Sequence, residues 1–216
     1  IHWELQLESL SDPGMMDIFE SQLKEANNLF SRFISRSYEE WIHNQSNAPE
    51  LSHTLFKNKV KPLLKNNQPT LFLVIDNLRM DQWKTIEPII LDFYNKEIEE
   101  SYFSILPTAT QYARNSLFSG LTPLDISKKH PELWKYDNEE GGKNSNEKEL
   151  LENQMKRLGV DGKMSYHKIT NLKSGKQLAK YLTNHKKEKL TTVVYNFVDM
   201  ISHAKSEMEI IKELAP

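Results

Sequence analysis

Two short apolar runs, each closed by an aspartate, constrain this chain most. Leu71-Phe72-Leu73-Val74-Ile75 is bounded by Gln68-Pro69 and ends on Asp76, while the run from Leu190 to Val198 ends on Asp199. The first is continuously apolar and suits a strand buried on both faces, the condition of a parallel sheet; the second, interrupted by Thr191, Thr192 and Asn196, is still a strong buried-strand run. Residues 101–106 and 164–169 read as two further strands. Between the strands the period is helical. Segments 86–94 and 174–185 carry it, and so does 110–119, stopped by Gly120. A small helical turn opens at Thr122-Pro123, and a longer helix from Asn146 to Leu158 has Glu149 at capping-box spacing and Gly159 as its stop. Residues 128–145 are polar, contain Gly141-Gly142 and read as a surface insertion. Alternating strands and helices predict the α/β class, with a mostly parallel sheet and helices on both faces.

An N-terminal helical segment precedes this pattern. Asp12-Pro13 reads as an N-cap followed by proline at the first helical position. Behind it Phe19, Leu23, Ala26, Phe30, Phe33 and Trp41 form one apolar stripe on a helix of about 28 residues. Such a stripe must lie on something, the following domain or a partner. Residues 44–50, with Asn, Gln, Ser and Pro, form the natural hinge, which predicts a helical segment at 1–46 and a second domain at 47–216. Ile1 to Leu5 read as the tail of a helix, and a helical pattern runs up to Pro216, so the chain reads as a piece of a longer protein without a signal peptide.

Charge and composition remove several function classes. Lys plus Arg number 28 against 30 Asp plus Glu, for a net charge of −2, which argues against a dedicated nucleic-acid binder or a polybasic membrane-surface protein. The apolar runs are too short to cross a bilayer. With no cysteine, a disulfide framework, a Cys-ligated zinc and a thiol nucleophile are all excluded, which fits a reducing cytoplasm. Any metal must be held by Asp, Glu, His or a hydroxyl oxygen. There is no P-loop, no G-x-G-x-x-G and no H-E-x-x-H, and Asp76 is followed by Asn77 rather than by the second acid of a receiver domain.

In an open α/β sheet the carboxyl ends of the strands border the crevice where ligands bind. Asp76 and Asp199 stand at two such ends, Thr110 opens a helix behind Leu106-Pro107-Thr108-Ala109, and His203 follows Asp199 by one helical turn. Taken singly, each has a plainer reading: Asp76 and Thr110 as helix caps, His203 as a surface or satisfied histidine. Taken together, an Asp and a His at i, i+4 share a helix face, as ligands of one metal must. A hydroxyl at a helix N-terminus also stands beside amide N–H groups that suit a phosphate. Arg79 and Asp81 could meet substrate or simply pair with each other. Of Arg114 and Asn115, one turn beyond Thr110, one could reach a phosphate oxygen and the other reads as a solvated helix residue.

Three motifs carry a resemblance. The run Ile75-Asp76-Asn77-Leu78-Arg79-Met80-Asp81-Gln82-Trp83 resembles the D-x-L-R-x-D-Q-W signature of PglZ domains, a branch of the alkaline phosphatase superfamily. The segment from Leu106 to Pro123 is similar to that superfamily's nucleophile segment, and Asp199 to His203 to its D-x-x-x-H metal motif. Ser52-His53-Thr54-Leu55-Phe56 and the long helix before it resemble the PorX branch of PglZ-bearing response regulators of type IX secretion.

The resemblance implies a truncated alkaline-phosphatase-like core and a two-zinc phosphodiesterase or phosphohydrolase, cytoplasmic and without membrane attachment, acting on cyclic or linear oligonucleotides. By position, Thr110 would be the nucleophile, with its oxygen also on a metal. Asp76 would hold one Zn2+, Asp199 and His203 the other, and Asn115 and Arg79 would meet substrate. It further implies a receiver domain, a sensor kinase and a homodimer. The superfamily's second Asp-His pair and last His would have to come from beyond Pro216, so residues 1–216 alone are expected to bind metal weakly and turn over little. The alternative is a catalytically incomplete PglZ fold serving as a docking module. Sulfatase chemistry is disfavoured, because it needs Cys or Ser where Thr110 stands.

Overall fold

The computed structural model describes residues 13–44, 46–65, 68–136, 138–184, 188–196, 198–201 and 204. These gather into two units, one of residues up to Pro49 together with Arg79–Glu100, the other of Glu50–Leu78 with the chain from Ser101 onward.

The first unit holds α1 (Pro13–His43), started by proline as the sequence predicts, and α3 (Met80–Leu91). The apolar stripe of α1 stays largely open: Leu23, Phe30 and Phe33 are each about half exposed, while Trp41 is buried with its ring 5.4 Å from that of Phe33. In α3 the Arg79 amide donates to Gln82 Oε1 at 3.0 Å, half of a capping box. The helix begins earlier than the predicted position 86, because this cap acts ahead of the apolar period. Around Glu87 four side chains interlock. Lys84 Nζ lies 3.0 Å from Glu87 and 2.7 Å from Glu99, and Lys96 Nζ 2.7 Å from Glu87 and 2.5 Å from Glu99.

The second unit contains the sheet. Its strands are β1 (Thr70–Ile75), β2 (Met164–Ile169) and β3 (Leu190–Tyr195), in the order β1-β3-β2 and all parallel. In the register, Ile75 faces Tyr195 and Ile169 faces Tyr195, so the three carboxyl ends lie level. The pleat sends Phe72, Val74, Leu190, Thr192, Val194, Met164 and Tyr166 to one face. There they meet Phe56, Val60 and Leu64 of the winding segment that begins as α2 (Ser52–Leu55). Phe118 of α4 (Thr110–Ser119), Ile126 of α5 (Pro123–Lys129) and Leu150, Leu151 and Met155 of α6 (Glu147–Arg157) complete this core. On the other face α7 (Leu172–Asn184) packs against β2, with Tyr181 4.7 Å from His167 ring to ring. The α/β class with helices on both faces of a parallel sheet is therefore the observed one.

Three expectations change. Residues 101–106 form no strand: Phe103 makes one isolated parallel bridge to Leu51, its amide donating to Glu50 O at 2.8 Å and its carbonyl accepting from Ser52 N at 3.2 Å. The backbone at Glu50–Ser52 thus takes the groups a sheet would use. β1 is not buried on both faces, since Leu71 and Leu73 are about half exposed and β1 is an edge among the described strands. The polar stretch 128–145 is not a free insertion either. A 3-10 turn at Pro131–Leu133 buries Leu133 and Trp134, and Asn146 Nδ2 holds Leu133 O at 3.0 Å.

Candidate active site at the carboxyl edge of the sheet

Asp76 is the first residue beyond β1, and its amide donates to Tyr195 O at 3.1 Å, which continues the ladder by one step. The next residue, Asn77, has φ +58°, a left-handed turn that asparagine tolerates better than most residues. Asn196 is likewise the first residue beyond β3, and Ile169 O receives its amide at 2.8 Å. Asp199 does not stand at the end of β3 as the run to Val198 predicts: β3 stops at Tyr195, and Asp199 lies in the helical residues 198–201 that follow. His203 lies outside the described residues.

Thr110 is the first residue of α4, with Ala109 as its cap, so α4 starts where the sequence places it and ends at Gly120, whose φ is +65°. Arg114, four residues on from Thr110, shares its helix face. Its Nη1 donates to Asp76 Oδ2 at 2.8 Å and to Asn196 Oδ1 at 2.6 Å. Its Nε and Nη2 grip Glu147 Oε1 and Oε2 at 2.7 and 2.6 Å. Glu147 also accepts from the Tyr166 hydroxyl at 2.6 Å, and Lys168 Nζ stands 3.6 Å away. One guanidinium, from the middle of α4, thus ties the ends of β1 and β3 to the start of α6.

The electrostatics follow from burial. Burial opposes the charge on Arg114, yet the bonds from Glu147 and Asp76 outweigh it and hold its pKa above the ordinary value. Burial, then the charge of Glu147, pushes the Tyr166 hydroxyl far up, so it stays a donor. Partial burial, then the Asp76 carboxylate, raise the Tyr102 hydroxyl as well.

A second, smaller net frames the start of α4. Asn144 Nδ2 donates to Thr110 O at 3.1 Å and to Asn115 Oδ1 at 3.2 Å, and Asn115 Nδ2 donates to Lys143 O at 3.2 Å. Arg114 and Asn115 are 5% and 1% exposed, so neither is the solvated residue the sequence suggests. Arg79 belongs to the first unit and forms a two-pronged pair with Asp81 there.

Glu147, Tyr166, Asn144 and Asn196 are the participants that sequence reading misses. Glu147 is hidden behind the capping pattern around it, where Asn146 uses its side chain on Leu133 instead of on the helix. An acid in a first helical turn is ordinary; one that is 1% exposed needs a cation, and that cation comes from 33 residues away.

Whether these residues suit metal can be judged from the donors. Asp76 Oδ2 is held by Arg114, whereas Oδ1 accepts no hydrogen bond among the described residues and so keeps lone pairs for a cation. The set of Asp76, Asp199 and a hydroxyl is the hard-oxygen kind that divalent ions take. Among the described residues no three His, Asp or Glu side chains converge.

Residues 55–215 match the BREX system PglZ alkaline phosphatase-like domain. Residues 1–42 match the linker domain of PorX response regulators. The curated proteins contain no match to the chain. With a parallel sheet whose carboxyl edge gathers Asp76, Asn196 and the helix opened by Thr110, and with the family match running from the core of the second unit almost to Pro216, the chain belongs to the PglZ family of alkaline phosphatase-like domains.

Proposed function

We propose that this domain is the zinc-dependent phosphodiesterase output of a two-component response regulator, with Thr110 as nucleophile and cyclic or linear oligonucleotides as substrates. The reading rests chiefly on Arg114, which joins Asp76 at the end of β1 to the helix that begins with Thr110. Asp76, Thr110, Asp199 and His203 would hold two zinc ions, whose positive charge lowers the pKa of the Thr110 hydroxyl and neutralises the phosphoryl group.

The chain's own residues supply the rest. Thr110 Oγ1 gives up its proton to solvent and bonds to phosphorus as the P–O bond to the leaving ester oxygen breaks and that oxygen takes a proton from solvent; water then cleaves the resulting threonyl phosphodiester, so one difficult displacement becomes two easier ones. The first-turn amide N–H groups of α4 favour the anionic oxygens. Asn144 and Asn115 steady the backbone at Thr110 from the side. The reading places no weight on Arg79, which is engaged by Asp81. In the cell the domain would be cytoplasmic and dimeric, and a receiver answering a sensor kinase would switch it in the control of type IX secretion.

Zinc content and hydrolysis of a cyclic oligonucleotide by the full-length protein test this together. Thr110→Val is expected to abolish hydrolysis with circular dichroism unchanged, and Asp199→Asn to lower zinc content by elemental analysis. Hydrolysis that survives Thr110→Val removes the nucleophile. Zinc-free, inactive wild-type protein leaves the docking module as the better account.

A further inference from the structure

Arg114 engages all three nitrogens of its guanidinium. Four of its bonds run to three partners: two to Glu147, one to Asp76 Oδ2 and one to Asn196 Oδ1. Its side chain is 6% exposed and that of Glu147 1%. Burying such a pair costs several kcal/mol in desolvation, and apolar residues of similar volume often serve stability as well or better. Stability alone is therefore a poor reason for this arrangement. Its geometry has a specific consequence. One edge of the guanidinium is fixed by Glu147, itself anchored by Tyr166, and the other edge is aimed at one oxygen of Asp76. A lysine ammonium, a point charge on a flexible stem, cannot face both at once.

We infer that Arg114, braced by Glu147, is the positioning residue that turns Asp76 so that Oδ1 alone is presented to the metal. This rests on the zinc reading above and adds how the ligand is oriented. Carboxylate ligands are commonly held by such outer partners, and losing one typically weakens metal binding 10- to 100-fold.

The test uses full-length protein and two substitutions that keep size and polarity. Arg114→Lys preserves charge but removes the fork; Glu147→Gln preserves shape but loosens the brace. Zinc affinity is read by competition with a chromophoric chelator, ligand geometry by the visible spectrum of the Co2+ form, and folding by thermal unfolding. Both variants are expected to bind zinc about 10- to 100-fold more weakly and to share a shifted Co2+ spectrum. The double variant should be little worse than the weaker single one, because both act through one contact. Should Arg114→Lys fail to fold, Glu147→Gln carries the same test. Unchanged zinc affinity and Co2+ spectrum in the folded variants, with only the melting temperature lowered, would overturn the inference and make the net a brace. Wild-type protein that binds no zinc, or zinc affinity untouched by Asp76→Asn, sinks the zinc reading itself and the inference with it.

Discussion

Gly120 shows how one residue can serve two constraints. At φ +65° it ends α4 in the left-handed region, where a side chain is strained. A Cβ built there would also stand 2.5 Å from Gln154 Oε1 and 2.8 Å from its Cδ. Gln154 is not free to retreat, since its Nε2 donates to Leu117 O at 3.0 Å and Phe118 O at 2.9 Å and so caps α4 from α6. Gly120→Ala is therefore expected to destabilise the protein by about 2 kcal/mol or more, measured by urea unfolding. A change within about 0.5 kcal/mol would show that Gln154 yields easily. The stop at Gly120 was legible in the sequence because a helical period ends on a glycine. The clash with Gln154 was not, because it depends on α6 lying against α4. Arg114 teaches the same lesson: a charge on a helix reads as solvated until the acid that neutralises it arrives from another element.

Helices and strands were legible where the deciding forces are local. Pro13, the start at Thr110, the cap at Thr122 and the parallel β3 all follow from nearby residues, and the structure keeps them. Residues 101–106 were misread because their backbone partners are Glu50, Leu51 and Ser52, and Ser52 Oγ also takes the Ile105 amide at 3.0 Å. No period within six residues reveals such a competitor. α5 offers a clean check of local control. Thr122 Oγ1 accepts the Asp125 amide at 3.2 Å, Pro123 occupies the first turn, and Lys128 and Lys129 close the last one. Thr122→Ala is expected to cost about 1 kcal/mol in the same unfolding experiment, and Thr122→Ser, which keeps a hydroxyl to accept from the Asp125 amide and donate to its carboxylate, to recover most of it. Equal losses in both variants would mean that Thr122 acts through packing rather than through its oxygen.

Acid should act on the two units in separate windows, because their ionisable groups are held by different forces. In the second unit burial holds the His53 imidazole below its usual pKa, with Asp125 and Glu50 only partly offsetting it, and burial lowers His167 too. An unfolded histidine takes up a proton near pH 6.5 while the buried one resists. Their contribution to stability is therefore complete above about pH 6.5 and fades as pH falls towards the lower folded values. In the first unit the signs of the groups differ. Lys84 and Lys96 hold the Glu99 carboxyl at about 2, and Arg79 holds Asp81 at about 2. A carboxylate lowered by cations stabilises the fold above its unfolded pKa of about 4 and loses that effect as pH falls through its folded value of about 2. These groups are solvent-facing, so added salt should shrink the second window while leaving the histidine window in place. Amide hydrogen exchange, followed peptide by peptide from pH 7 to pH 2, separates the two units. Protection around α2 and β2 is expected to fall first, as pH drops below about 6.5, while peptides of α3 hold until below about pH 4. His53→Gln should flatten the earlier loss without moving the later one. Simultaneous loss of protection in both units would mean that one cooperative transition, rather than two sets of charges, governs how this protein meets acid.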